Sequence, residues 1–293
     1  MNLLGLLRQR YGAGEARALY EYVMRRRFGL SRTDVILGKD TTLSANDKAE
    51  LQIILERVAN GEPVQYVLGS EEFCGRVFGV APGVLVPRPE TEVLVGLVRE
   101  GVACGCSVLD VGTGSGCIAV TLALEGYRVT ALDVSDEALG VAARNAAALG
   151  AEVELVRHDI LLPCVREAGG GAGAGCLPWG GAGRRFDAVV SNPPYVCRSE
   201  AAAMEDNVLL YEPHLALFVP DDDPLLFYRA IAGFGLRHLA PGGRVFFEAN
   251  VRFCAQVGEL LRSRGYEDVR VRLDQFGRER FVTGRLGRGC GGG

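Results

Sequence analysis

The chain has no stretch approaching the roughly 18 to 20 uninterrupted apolar residues that a membrane helix requires. No membrane association is therefore expected. The first eleven residues lack the basic start, apolar run and small-residue cleavage site of a secretory signal, because Arg8 and Arg10 follow the leucines. The expected location is cytoplasmic. None of the nine cysteines forms the C-x-x-C pair of a zinc site, so they are read as reduced thiols and no metal is expected. A basic excess is also missing. Lys and Arg number 32 against 36 Asp and Glu, a net charge of −4, and direct binding of nucleic acid needs clustered positive charge on a domain that is basic overall. Lysine itself is scarce, with only Lys39 and Lys48, and with abundant Gly and Ala this reflects codon bias as readily as function.

What is present fits two domains, since 293 residues exceed one average domain. Ala16, Leu19, Tyr20, Val23 and Met24 recur at the three- and four-residue spacing of one helix face. Ser31 and Ser44 stand as N-caps, each with an acid three residues on (Asp34, Asp47). The second opens a helix carrying Leu51, Ile54, Leu55 and Val58, which Gly61 and Pro63 end. Residues 1–72 thus read as a small helical domain. Residues 73–88 read as a linking β-hairpin, because β-type residues there are broken by Gly75, Gly79, Pro82 and Gly83.

From Ser107 onward strand-like and helix-like segments alternate: SVLDVG, VTALD, EVELVRHD, DAVVSN, then the turn Pro241-Gly242-Gly243 before RVFFEA, and two closing strands in DVRVRLD and RERFVTG. This alternation predicts an α/β fold with a doubly wound, mostly parallel sheet over residues 89–288. Ligands of such sheets sit beyond the carboxyl ends of the strands. Residues 167–185, nearly all Gly and Ala, cannot bury enough apolar surface to offset their ordering entropy and read as a flexible surface insertion with Trp179 as anchor.

Four features lie at strand ends. Gly112, Thr113, Gly114, Ser115 and Gly116 lie between the first strand and a helix, where glycines let the backbone approach a ligand. Cys117 occupies the place of the third glycine of the dinucleotide fingerprint, which tilts the reading away from NAD. Asp133 ends the second strand about 20 residues later, the interval of an acid that accepts from adenosine ribose hydroxyls. Asp159 ends the third strand similarly and either contacts an adenine edge or caps a turn.

Asn192, Pro193, Pro194 and Tyr195 follow the strand DAVVS. Two prolines fix the backbone and donate no hydrogen bonds, so local carbonyls and the Asn192 oxygen are acceptors for a planar NH₂ group. Tyr195 adds an aromatic face for packing. Acceptors that pull on both N–H bonds of an amide-like nitrogen free its lone pair for in-line attack on a sulfonium methyl, as in transfer from S-adenosylmethionine. The motif alone leaves the acceptor open, because adenine, cytosine and guanine amines present the same NH₂ as a glutamine side chain.

The chain resembles the HemK/PrmC family of release-factor glutamine methyltransferases. The matching segments are EPVQYVLGSEEFCG (residues 62–75), PGVLVPRPETE (82–92), VLDVGTGSG (108–116), LDVSDEAL (132–139), FDAVVSNPPYV (186–196), YEPHLAL (211–217) and FGRERFVTGR (276–285). The resemblance implies a Rossmann-like seven-stranded methyltransferase domain behind a helical domain that docks the protein substrate. It also implies S-adenosylmethionine as cofactor, and class I peptide chain release factors as partners through the glutamine of their Gly-Gly-Gln loop. By match, residues 112–116, Asp133, Asp159, Ile160 and Asn192 would bind the cofactor. Residues 192–195 would hold the glutamine amide, with Arg88 and Glu90 shaping the substrate pocket. A monomer is expected. Ile160 stands where relatives often have an aromatic residue, and Asn250 where they tend to have Gly. The rival expectations are glutamine methylation of a ribosomal protein and methylation of a nucleic-acid amine.

Overall fold

The structure is a computed structural model that describes residues 3–162 and 184–287. The Gly/Ala-rich segment lies outside the described residues except for Arg184 and Arg185, and Trp179 is outside them too.

Five helices open the chain: α1 (Leu3–Leu7), α2 (Ala13–Phe28), α3 (Arg32–Ile36), α4 (Ala45–Ala59) and α5 (Val64–Leu68). Their apolar faces meet in one core around Leu7, Val23, Met24, Leu51, Leu55 and Val58. Both serine caps form. Ser31 and Asp34 make a full capping box, with Ser31 Oγ accepting from the Asp34 N–H at 3.2 Å and Asp34 Oδ2 accepting from the Ser31 N–H at 3.0 Å. At Ser44 the side chain accepts from the Asp47 N–H at 3.1 Å.

Strands β1 (Ser70–Phe73) and β2 (Arg76–Gly79) form an antiparallel hairpin whose turn residues, Cys74 and Gly75, both have positive φ. Its first strand begins two residues ahead of the break read at residue 72. Ser70, Glu71 and Glu72 carry no strand signal of their own, and pairing with Gly79, Phe78 and Val77 makes them one. Phe73 and Phe78 stack edge-to-face, centroids 5.9 Å apart, and sink into the core of the following domain. On the other side Tyr22 donates to Glu71 at 2.9 Å and Arg26 pairs with Glu72 at 3.1 Å, tying the hairpin to α2.

The sheet that follows has seven strands. In chain order they are β3 (Ser107–Val111), β4 (Arg128–Asp133), β5 (Val153–Arg157), β6 (Phe186–Ser191), and, past a small parallel pair β7 (Val196–Cys197) and β8 (Phe218–Val219), β9 (Leu239–Glu248), β10 (Tyr266–Leu273) and β11 (Glu279–Leu286). The spatial order is β10-β11-β9-β6-β3-β4-β5, and only β11 runs against the others. Alternation along the strands sends Val108, Val190 and Phe246 to one face, and Leu109, Val189, Val245 and Phe247 to the other. Helices α6 (Pro89–Gly101), α7 (Cys117–Leu124), α8 (Asp136–Leu149), α9 (Asp206–Tyr211), α10 (His214–Leu217), α11 (Leu226–His238) and α12 (Cys254–Ser263) complete the fold. The turn read at Pro241-Gly242-Gly243 is a bulge within β9. Leu239 already pairs with Phe186, and the ladder resumes only at Arg244 opposite Ala188.

After β3 the chain winds outward through β4 and β5, then returns to place β6 on the other flank of β3. The strand order reverses between β3 and β6, and the crevice beyond their carboxyl ends is where such sheets bind ligands. Residues 112–116 and 192–195 follow these two strands.

Candidate active site

The end of β3 is tied to its neighbours by backbone. Gly112 and Thr113 both donate N–H to Leu132 O, at 2.9 and 3.0 Å, and Ser191 Oγ donates to Val111 O at 2.6 Å. The loop then divides its labour. Gly112 and Gly114 line a cavity of about 320 Å³, whereas Thr113, Ser115 and Gly116 do not. Thr113 is buried and donates to Asp110 Oδ2 at 2.7 Å. Ser115 is buried as well, its carbonyl accepting from Asn145 Nδ2 at 2.8 Å.

The two later glycines are needed for different reasons. At Gly114 (φ +55) an added Cβ would meet no atom within 4 Å, while at Gly116 (φ +79) it would lie 3.0 Å from Ala142 Cβ on α8. Gly114→Ala is therefore expected to cost about 1 to 2 kcal/mol of left-handed strain and to abolish cofactor-induced stabilisation. Gly116→Ala should lose a further roughly 1 to 3 kcal/mol of fold stability from overpacking. Thermal melts of both variants with and without S-adenosylmethionine check this. A Gly114→Ala protein that still gains stability from the cofactor would show that this glycine is only a turn.

Asp133 ends β4 and lines the cavity. Its Oδ2 accepts from the Gly114 N–H at 2.9 Å and its Oδ1 from the Ser135 N–H at 3.0 Å. Each oxygen keeps a lone pair for a ligand hydroxyl. Burial raises its carboxyl above the ordinary range, and the N–H groups of Ser135, Gly114 and Val134 offset that only in part. Asp159 and Ile160 line the cavity with His158, whose pKa burial lowers. Asp159 also caps a turn, its Oδ1 accepting from the Leu161 N–H at 2.9 Å. Leu132, Leu215, Phe227 and Ile231 supply apolar wall to the same cavity. Phe227 puts an aromatic ring in a cavity where Ile160 does not.

Asn192, Pro193 and Pro194 line the same cavity, Pro193 buried. Asn192 Nδ2 donates to Thr91 Oγ1 at 3.1 Å. Tyr195 is not among the lining residues. Its ring packs against the core cluster that holds Tyr228 and Phe247, and its hydroxyl donates to Glu248 Oε1 at 3.1 Å. Burial, the largest cause, and the Glu248 charge push its phenol pKa up. Asn250 holds the loop from below, Nδ2 donating to Tyr195 O at 3.2 Å.

Arg88 and Glu90 do not line the cavity either. Arg88 pairs at 2.5 Å with Glu212, which is 4% exposed and also accepts from the Val86 N–H at 3.3 Å. That contact latches the segment around residues 83–88, including the cavity residues Gly83, Val84 and Leu85, to the stretch whose Pro213, His214, Leu215 and Ala216 form another wall. Glu90 faces Arg278 at 3.9 Å. Sequence reasoning missed Thr91, Glu212 and Glu248. Thr91 and Glu212 lay within the matching segments 82–92 and 211–217, and Glu248 carried the signal of an acid closing an apolar strand, as Asp133 does.

A seven-stranded sheet with one reversed strand, a glycine turn and an acid at adjacent strand ends, and Asn-Pro-Pro at the switch point define a Rossmann-like, S-adenosylmethionine-dependent methyltransferase. The cavity fits that cofactor, having spare carboxylate lone pairs beside an apolar wall and glycines open to it. The family model described as "PrmC N-terminal domain" matches residues 5–69, and "Methyltransferase domain" matches residues 108–168. A release factor glutamine methyltransferase of Bacteroides thetaiotaomicron is 43% identical over 275 residues, covering 93% of this chain and 94% of that one. Another, from Flavobacterium psychrophilum, is 36% identical over 260 residues, 86% of each chain. The crystal structure of a methyltransferase from Pyrococcus furiosus shares the fold, with TM-score 0.51 and 19% identity over 83% of this chain and 100% of that one. The chain belongs to the release factor glutamine methyltransferase family.

Proposed function

We propose that the enzyme transfers a methyl group from S-adenosylmethionine to the side-chain amide nitrogen of the glutamine in the Gly-Gly-Gln loop of class I peptide chain release factors. The similarity to release factor glutamine methyltransferases supports this acceptor, and the orientation of Asn192 supports an NH₂-bearing group at the loop. Its Nδ2 is spent on Thr91, so its oxygen is the atom left for a substrate NH₂. Pro193 and Pro194 have no N–H to compete with the substrate for acceptors. Pulling on both N–H bonds weakens amide delocalisation and frees the nitrogen lone pair. When bound, S-adenosylmethionine supplies the electrophilic methyl. Gly112, Gly114, Asp133 and Asp159 would hold it. The amide nitrogen sheds its proton only as the new bond forms, so the site needs no strong base.

In this reading residues 1–72 dock the release factor, residues 73–88 link, and residues 89–288 carry catalysis. The protein works as a cytoplasmic monomer without touching membrane or nucleic acid directly. Among the described residues no helix is long and apolar enough to cross a membrane. The test is incubation with methyl-labelled S-adenosylmethionine and a release factor, followed by mapping of the label. One methyl on the Gly-Gly-Gln glutamine is expected, and none when that glutamine is replaced by Glu, which has no nitrogen to accept it. Label on a ribosomal protein or nucleic acid, with none on the release factor, would overturn the reading.

A further inference from the structure

The carboxamide of Asn192 has two ends of nearly equal shape and opposite polarity. Turned one way it presents an acceptor to the cleft, and turned the other it presents two N–H donors, which a substrate NH₂ cannot use. Something must choose between them. The choice traces to Glu248, the last residue of β9 and 1% exposed. Its Oε2 accepts from Thr91 Oγ1 at 2.8 Å and its Oε1 from the Tyr195 hydroxyl at 3.1 Å. Thr91, in the first turn of α6, is itself 3% exposed. It has a single hydroxyl proton, and both Glu248 oxygens act as acceptors, one from Thr91 and one from Tyr195. Once that proton points at Glu248, Thr91 Oγ1 can only accept, and Asn192 must turn its NH₂ toward it, as the 3.1 Å contact records.

We propose that Thr91 and Glu248 are positioning residues, a polar relay that holds Asn192 with its oxygen toward the substrate and so selects an NH₂-bearing acceptor. This rests on the glutamine-methylation reading above. The relay joins three elements far apart in sequence, with Thr91 and Asn192 separated by 101 positions and Thr91 and Glu248 by 157. No local chain geometry would bring them together. Arg280 supports the ionised state, its guanidinium lying 6.0 Å over the Tyr195 ring and lowering the pKa of Glu248 against the larger effect of burial, which raises it. Thr91 touches neither substrate nor cofactor in this scheme. Its influence passes through Asn192 alone.

Thr91→Val keeps the shape and removes the hydroxyl. It is expected to lower kcat on a release factor roughly 10-fold, about the worth of one hydrogen bond in the transition state, while the Kd for S-adenosylmethionine stays within about twofold. Thr91→Ser should restore kcat to within roughly threefold. A double-mutant cycle separates positioning from structure, because Thr91→Val should cost nothing further in an Asn192→Ala background. Glu248→Gln is the second variant should Thr91→Val fold poorly. Its amide can donate to Thr91 and release the hydroxyl proton toward Asn192, so kcat should fall with little change in cofactor Kd. Wild-type kcat in Thr91→Val or Glu248→Gln, or a Thr91→Val loss that persists undiminished in the Asn192→Ala background, would overturn the relay. A wild-type enzyme that transfers no methyl to the release factor would instead overturn the function on which it rests.

Discussion

Asn192→Ala is expected to lower kcat on a release factor by roughly 10²- to 10³-fold, about 3 to 4 kcal/mol, the usual consequence of deleting one preorganised polar contact that strengthens in the transition state. Asn192 also lines the cofactor cavity, so the Michaelis constant for S-adenosylmethionine should rise, but by far less than kcat falls. Asn192→Asp separates the two roles. It keeps an acceptor and adds a negative charge near the position of the sulfonium, which should tighten cofactor binding. It also removes the N–H that Thr91 accepts, and leaves two carboxylates, the introduced one and that of Glu248, competing for the one Thr91 proton. Turnover should therefore remain low despite the better affinity. Single-turnover rates together with calorimetric cofactor titration give both numbers. Turnover by Asn192→Ala close to that of the wild type would remove the basis for assigning glutamine orientation to this loop.

The parts of the site that could be read from the sequence are those whose chemistry is local. Residues 112–116 and 192–194 belong to short motifs that follow strand-like segments, and the topology of an α/β sheet alone sends those motifs to one crevice. Asp133 was legible for the same reason. Tyr195 was not. A tyrosine after two prolines carries no local signal for facing cleft or core, and only the neighbouring Glu248 and the apolar pocket beneath it decide the matter. Arg88 and Glu90 belong to a recognisable segment, yet their partners, Glu212 and Arg278, lie more than a hundred residues away. Thr91 sits in that segment too, and its partners are as remote. The ends of secondary structure failed for a related reason. Ser70 becomes a strand residue by pairing with Gly79, and Leu239 joins the sheet across a bulge, and neither fact is written in propensity. What stayed hidden in each case is a pairing made by tertiary structure.

Between about pH 4 and pH 7 the apo protein should lose a share of its stability through one residue, Asp110, and Asp110→Asn should abolish that share. Asp110 lies in β3 with 0% exposure, and burial pushes its carboxyl up to about 7. The nearby charge of Asp133 raises it further, while the hydrogen bond from Thr113 and the N–H of Ala119 offset only part of this. A raised folded-state pKa means that the native protein holds a proton which the unfolded chain releases near its ordinary value. The stabilising contribution is thus complete below about pH 4 and disappears as pH rises through about 7. Its size is on the order of 4 kcal/mol, at 1.36 kcal/mol per pKa unit. Other groups also make stability depend on pH. Asp133 and Glu248 are also raised by burial and act in the same direction, whereas His158 and His238, lowered by burial, lose stability as pH falls and act against it. The informative quantity is therefore the difference in unfolding free energy between wild type and Asp110→Asn, measured by denaturant titration at several pH values. Asn keeps an acceptor for Thr113 and cannot ionise. The difference should fall steadily from pH 4 to pH 7.5, and a difference that is flat with pH would mean that Asp110 titrates like a solvated carboxylate.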